Sequence, residues 1–165
     1  MPNPFILRVS SQKGGVGKSV IATNLAAALK VLGYKVLLID ADFTNPSIGV
    51  YLGIEDVNIG FKEVLTNRTE IRRAIVPHYA TGLSVIPGTI SSKQFMPTKN
   101  QIDGAIIKLR QLNFDFIIID TQPGFTVPET FKIYNEAIIV VTPDMTSVLS
   151  AVKLAHMYDN ARVKH

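Results

Sequence analysis

One short string near the amino terminus restricts the fold of this chain more than any other feature. Residues 13–19 read Lys-Gly-Gly-Val-Gly-Lys-Ser, after an apolar run over residues 5–10 and before a stretch with helical spacing. Glycines let a backbone approach a phosphate closely and adopt positive φ, and the N–H groups at a helix start attract anions. The common phosphate-loop pattern places a Gly six residues before the Lys, where this chain has Gln12. The string therefore predicts a nucleotide-phosphate site of an unusual kind.

The residue types in this loop suit a nucleotide bound with Mg²⁺. We expect Lys18 to place its ammonium group between the β- and γ-phosphates, and Ser19 to ligate the metal through its hydroxyl. The backbone of the loop would surround the phosphates, and it comprises Gly14, Gly15, Val16 and Gly17. The alternative is a glycine-rich turn between a strand and a helix. Three glycines between two lysines, ending in Lys-Ser after a strand, argue strongly against that reading.

Composition sets limits on the class of protein. The 165 residues suit one domain over 1–165, and 47% hydrophobic against 18% charged residues indicate a globular protein with a core. No cysteine is present, which excludes disulfides and thiolate-held clusters within these residues. The net charge of +4 is spread thinly, and we interpret its one basic cluster, Arg68, Arg72 and Arg73, as a solvated helix face. DNA is therefore a less favoured partner.

Membrane and export signals are not evident in the sequence. The start Met-Pro-Asn-Pro does not resemble a signal peptide. The longest aliphatic runs, such as those at 117–119 and 138–141, have the length of strands rather than of membrane spans. These features predict a cytoplasmic protein.

Apolar runs alternate with helical patterns along the whole chain. The runs are continuous, as in parallel strands covered on both faces, and they predict strands over 5–10, 35–40, 83–86, 115–120 and 137–142. Helical spacing predicts helices over 18–32, 98–112 and 145–160, with shorter ones over 59–66 and 127–135. This order predicts an α/β fold with three layers and a mostly parallel sheet of about five strands.

Acidic residues follow two of these predicted strands. Asp40 and Asp42 end the second strand, and Asp120 ends the fourth. Ligands of parallel α/β sheets bind at the carboxyl ends of the strands, which is the edge where the glycine loop would lie. An Asp at a strand end can also cap the next turn. Two such sets beside one phosphate loop favour a role in holding metal and water.

These motifs, in this order, resemble the MinD/ParA family of ATPases with a deviant Walker A loop. The resemblance implies a P-loop fold, binding of ATP or ADP with Mg²⁺, and slow hydrolysis of ATP. Asp42 would orient or deprotonate the attacking water, Asp40 would support Lys18 and the metal shell, and Asp120 would hold Mg²⁺ through a water. Gly124 would donate its N–H to the γ-phosphate.

The same resemblance gives Lys13 a role. In the family this lysine crosses a dimer interface to the phosphates of the other subunit, although it could also stay within its own subunit. Two positions depart from the family pattern. Val20 lacks the hydroxyl that many members have there, which leaves only its backbone donor. Gln122 stands where Pro or a small apolar residue is usual. The resemblance makes residues 121–127 a switch segment that senses ATP against ADP, and Gln122 would alter its hydrogen bonding.

The family resemblance predicts a dimerisation switch that regulates cell division or positions a cargo. ATP would join two subunits, a partner protein or activator would regulate them, and a full-length form could bind membranes peripherally. Family members continue well past the position of His165, so we expect the base-reading segment to be missing and residues 137–142 to form an apolar edge. That edge would need cover from a second chain or from the helix over 145–160. Alternatives are a small-molecule ligase resembling dethiobiotin synthetase, and a nucleotide-binding scaffold without hydrolysis.

Overall fold

A computed structural model of the chain describes residues 3–54, 57–90, 95–124, 134–161 and 163–165. Within these residues the strands are β1 (Phe5–Ser10), β2 (Val36–Ala41), β3 (Val76–His78), β4 (Leu83–Ile86), β5 (Phe116–Thr121) and β6 (Glu136–Ile139). The α-helices are α1 (Lys18–Val31), α2 (Ile48–Leu52), α3 (Phe61–Leu65), α4 (Lys99–Arg110) and α5 (Met145–Ala161). A 3-10 turn covers Ile71–Ala74.

The described strands form one sheet in the order β3-β4-β2-β5-β1-β6. All neighbouring pairs are parallel except β3 with β4. The alternation of strand and helix therefore gives the predicted α/β fold with a mostly parallel sheet. The register between β2 and β5 places Asp40 directly beside Asp120, so the predicted meeting of carboxylates at one sheet edge is confirmed.

Two apolar layers cover the sheet because its central strands are apolar on both faces. One layer joins the sheet to α3 and α4 through residues such as Ile39, Ile106 and Ile117. The other joins it to α1 through Ala22, Ala26 and Ile118. Helix α1 ends before Gly33, whose φ of 93° is a left-handed conformation that suits glycine and stops the helix as predicted.

Two features differ from the sequence-based prediction. The sheet has six described strands rather than about five, since Val76–His78 pairs with β4. That strand has three residues with Pro77 at its centre, and so short a run at a sheet edge leaves little pattern to detect. Helix α2, of five residues, was also not predicted. Most of the helix predicted over 127–135 lies outside the described residues.

Strand β6 is the last strand of the described sheet on its side. The amide of Ala137 donates to the carbonyl of Lys164 at 2.8 Å, and Glu136 and Lys164 form a parallel bridge. Leu154 and Tyr158 of α5 pack with Ala137 in a separate apolar cluster. The expected cover of this strand by the helix over 145–160 is thus seen on one face. At the open edge of β6, the first residues of the strand pair with Lys164 of the same chain.

Candidate functional site

The phosphate loop connects β1 to α1 and has the backbone that a close approach to an anion requires. Gly15 and Gly17 have φ values of 76° and 89°, a left-handed conformation that L side chains rarely adopt. No heavy atom lies within 4 Å of a Cβ built at either residue, so the backbone conformation rather than space selects glycine. Gly17 directly precedes the first residue of α1. The loop therefore ends on the positive end of a helix dipole.

Lys18 is the first residue of α1 and turns into the protein. Its Nζ donates to Asp120 Oδ1 at 2.7 Å, and the exposed fractions of the two side chains are 6% and 0%. A longer contact of 3.5 Å joins the same ammonium group to Ser19 Oγ. The predicted Lys18, Ser19 and Asp120 thus meet in one cluster, in which Ser19 is half-buried. The positive charge that would bind phosphate is neutralised here by a carboxylate.

Asp120 has the features of a residue that serves a metal. Burial raises the pKa of its carboxyl group, and the charge of Lys18 opposes that rise. Its Oδ2 is buried and accepts no hydrogen bond from any residue in the described ranges. Nowhere in those ranges do three His, Cys, Asp or Glu residues form a possible metal cage. A spare carboxylate oxygen beside a serine hydroxyl fits Mg²⁺, which keeps several waters and relies on substrate phosphates.

Asp40 makes contacts that organise a loop. Its Oδ1 accepts from the amide of Asp42 at 3.0 Å, and its Oδ2 accepts from the amides of Ser47 and Ile48 at 2.9 and 3.0 Å. Burial is the main reason that the pKa of Asp40 rises to about 6. Asp40 therefore holds the segment between β2 and α2 against the sheet edge. Its assignment to the metal shell stays a prediction.

Asp42 lies in the loop that Asp40 holds and is almost fully buried. Its Oδ1 accepts from the amides of Thr44 and Asn45 at 3.1 and 2.8 Å. Its Oδ2 accepts from no residue that the structure describes, which leaves this oxygen for a water or a ligand. Asp42 lines a cavity of about 580 Å³ together with Lys18 and Ser19. That volume is in the range of small-molecule sites.

The cavity includes most of the predicted phosphate-binding residues. Gly14, Gly15, Gly17 and Val20 line it with Lys18 and Ser19. Of the other lining residues, Asp42 was predicted and Gln122 was noted as a departure from the family pattern. Sequence reasoning missed the rest, which are Ser11, Thr44, Asn45, Ser47, Tyr51 and Pro123. Most of the missed residues follow the ends of β2 and β5. The rule that ligands bind at the carboxyl ends of parallel strands could have found them.

Three of the residues predicted to bind the nucleotide lie outside the lining of this cavity, as do the predicted metal residues Asp40 and Asp120. Val16 is packed against the apolar layer under α1. Gly124 has a φ of 65° and donates its N–H to the carbonyl of Ser11 at 2.9 Å, so this donor is already used. Lys13 is exposed, and its Nζ lies 3.7 Å from Asp144 Oδ1. Lys13 therefore does not line the cavity of its own chain.

Three features define a P-loop nucleotide-binding domain. They are a glycine loop at the end of β1, a lysine at the start of α1, and carboxylates at the ends of β2 and β5. The family model that matches residues 4–165 is described as "ParA: NUBPL iron-transfer P-loop NTPase". The chain belongs to the ParA/MinD family of P-loop NTPases, whose members hydrolyse ATP. No helix within the described residues is long and apolar enough to cross a bilayer.

Individual relatives agree with the family assignment. An uncharacterized ATP-binding protein of Methanocaldococcus jannaschii is 33% identical over 152 residues, which are 91% of this chain and 57% of the relative. An iron-sulfur cluster carrier protein of Methanococcus maripaludis is 34% identical, over 90% of this chain and 53% of its own length. The chain thus spans about half the length of these relatives. The cysteine argument made above covers only these 165 residues.

A solved structure supports the fold. The septum site-determining protein MinD from Pyrococcus horikoshii, complexed with Mg-ADP, superposes with a TM-score of 0.86. The two sequences are 27% identical, and the match covers 98% of this chain and 67% of the solved one. The predicted P-loop fold is therefore confirmed.

Proposed function

We propose that this chain binds ATP with Mg²⁺, hydrolyses it slowly and acts as a dimerisation switch of the MinD type. The observation that carries the proposal is the buried Lys18–Asp120 pair at the base of a 580 Å³ cavity lined by a glycine loop. A lysine and a carboxylate buried together at the carboxyl ends of the strands are costly to desolvate. A ligand that supplies both an anion and a cation would take over both partners.

Nucleotide binding is then an exchange of ion pairs. The phosphates would take the ammonium group of Lys18, and Asp120 would be released to hold the hydrated metal together with Ser19. When bound, Mg²⁺ neutralises charge that develops on the phosphates during transfer. Leaving either Lys18 or Asp120 buried without an opposite charge would cost free energy. Nucleotide and metal should therefore bind cooperatively.

Hydrolysis requires a positioned water and a cation for the transferring phosphoryl group. Asp42 Oδ2 is the carboxylate oxygen in the cavity wall that is left for the water. Lys13 is exposed beside Asp144, 3.7 Å away, and does not line the cavity of its own chain. Both observations support a model in which Lys13 serves the ATP of a second copy. That copy, an activating partner and a membrane in the full-length protein complete the proposed switch.

The relatives point to two kinds of activity. One is named for carrying iron–sulfur clusters, and another was solved as MinD with Mg-ADP. Iron–sulfur clusters are held by Cys thiolates, and these 165 residues contain no cysteine. That absence concerns these residues alone and does not separate the two kinds of relative. The residues present support nucleotide binding, and we propose regulation of cell division or cargo position as the role of the switch.

Calorimetry and single-turnover hydrolysis test this function. We expect ATP to bind tightly with Mg²⁺ and weakly without it, and Mg²⁺ alone to bind poorly because Lys18 occupies Asp120. Bound ATP should be converted slowly to ADP. The absence of ATP binding at any Mg²⁺ concentration would overturn the proposal, and binding without any turnover would favour the scaffold alternative.

A further inference from the structure

Gln122 lines the cavity, and the function proposed above gives it no role. It follows β5, two positions after Asp120, and lines the cavity with Lys18 and Asp42. Its Oε1 is buried and accepts no hydrogen bond from any residue in the described part of the chain. A buried amide oxygen without a donor is costly, so its retention needs a physical reason.

The backbone on both sides holds Gln122 in place. Thr121 on one side donates its hydroxyl to the carbonyl of Val9 at 2.9 Å. Gly124 on the other side donates its amide to the carbonyl of Ser11 at 2.9 Å. Both acceptors belong to β1 or to the residue that follows it, which leads into the phosphate loop. The backbone around Gln122 is therefore tied to the strand that leads into the phosphate loop.

Among the described residues no donor reaches this oxygen, and a molecule in the cavity can supply one. Phosphate oxygens are acceptors at neutral pH, so a triphosphate cannot itself satisfy Gln122 Oε1. Lys18 already donates to Asp120 and would turn to the phosphates when nucleotide binds. A water molecule can donate to the amide oxygen, and the cavity is polar and large enough to hold one.

We propose that Gln122 orients the attacking water together with Asp42, an inference that rests on the proposed ATPase function. A water has two O–H groups. If it donates one to Asp42 Oδ2 and the other to Gln122 Oε1, its lone pair is left for the γ-phosphorus. A glutamine amide orients the attacking water in some GTPases, so the chemistry is sufficient.

The reaction at this site can be written in full. The water oxygen forms a bond to the γ-phosphorus as the bond from that phosphorus to the β–γ bridging oxygen breaks. ADP leaves with the electron pair of the broken bond. One water proton passes through Asp42 to solvent, and the other remains on the phosphate product. Gln122 neither gains nor loses a proton in this reaction, so it contributes only by orienting the water.

The matched test is Gln122→Met, which keeps the length of the side chain and removes the amide. Gln111→Met, at an exposed position outside the nucleotide cavity, is the control for the substitution itself. We expect Gln122→Met to bind a non-hydrolysable ATP analogue with unchanged affinity. Its single-turnover rate at saturating Mg²⁺ should fall about tenfold, the effect of one hydrogen bond lost in the transition state. Gln122→Glu, which retains an acceptor oxygen, should recover part of the rate.

Each other outcome would overturn this inference. An unchanged rate in Gln122→Met would show that the amide does not touch the water. A parallel loss of analogue affinity would make Gln122 a binding residue instead. A rate that falls at limiting Mg²⁺ but is normal at saturating Mg²⁺ would place the effect of Gln122 on metal binding. If the unsubstituted chain binds ATP but never hydrolyses it, the proposed function itself has failed, and that result is distinct because it appears without any mutation.

Discussion

The two lysines of the phosphate loop have opposite surroundings. Lys18 is 6% exposed and donates to a buried carboxylate at 2.7 Å, whereas Lys13 is 55% exposed and lies 3.7 Å from a partly exposed one. A short buried pair in low dielectric is strong, and an exposed one is screened by water and contributes little. The difference separates two tasks. The inner region around Lys18 is buried within one chain, and we expect the exposed outer region around Lys13 to meet a second molecule.

Removing the inner lysine should have the largest effect. Lys18→Ala leaves Asp120 buried without its cation, which should cost about 3–5 kcal/mol of folding free energy. It also removes the ammonium group that would bind phosphate, so Mg–ATP binding should be lost. Denaturant unfolding and calorimetry measure the two effects, with the exposed Lys153→Ala as the matched control. Equal stability and equal nucleotide affinity in Lys18→Ala would abolish the distinction between the two regions.

The second prediction separates the chemistry of the inner region from its folding. Asp42→Asn retains an oxygen that can accept from the amides of Thr44 and Asn45, so the loop should keep its shape. The variant loses the carboxylate, and single-turnover hydrolysis should fall by about 10²–10⁴-fold while ATP binding remains. Asp42→Ala, which also loses the turn, is the comparison. Hydrolysis at the normal rate in Asp42→Asn would assign the water to another group.

The third prediction uses the buried carboxyl group of Asp40 and concerns the nucleotide-free, metal-free chain. Its pKa is raised by burial from 3.8 to about 6 in the folded state. The folded chain therefore holds this proton more tightly than the unfolded chain does. The resulting stabilisation is fully present below about pH 4 and is lost as the pH rises through 6, by roughly 3 kcal/mol in all.

Denaturant unfolding between pH 4.5 and 7.5 checks this sign. The stability of the unsubstituted chain, measured relative to Asp40→Asn, should decrease as the pH rises. A difference that is independent of pH would mean that Asp40 has the same pKa in both states. A difference that grows with pH would mean that the three backbone donors outweigh burial.

The smallest effect should come from the outer region. Asp144 accepts hydrogen bonds from Thr142, Thr146 and the amide of Ser147, and these bonds hold its pKa below the ordinary value. Asp144→Ala should lower the thermal midpoint slightly by weakening the start of α5, and should leave ATP affinity unchanged. Asp144→Asn, which retains an acceptor, should have the midpoint of the parent. A fall as large as that of Lys18→Ala would show that the outer region is structurally essential.

The sequence predicted the parts of the molecule whose signals are local. The Lys-Gly-Gly-Val-Gly-Lys-Ser string, the apolar strands and the acidic residues at their ends can each be read within about ten residues. The side chains that contact these groups could not be predicted from the local sequence. Asp120 is far from Lys18 along the chain, and the pairing of Lys13 with Asp144 depends on where α5 begins.

Asp40 illustrates the limit most clearly. Its position at the end of β2 was evident, but its contacts with the amides of Ser47 and Ile48 require a short helix that carries no detectable periodicity. The burial of Gln122 Oε1 similarly follows from the packing of the segment after β5 against the phosphate loop. Such contacts arise from tertiary structure and not from local propensity.

The concentration dependence of hydrolysis tests this account most directly. The site is divided into an inner region within one chain and an outer region proposed to serve a second chain. ATP hydrolysis per subunit should rise with protein concentration in the unsubstituted chain. Lys13→Ala should remove that rise while ATP affinity stays unchanged. A rate independent of concentration in a monomer, reduced equally by Lys13→Ala at every concentration, would place Lys13 in its own subunit's site and contradict the division.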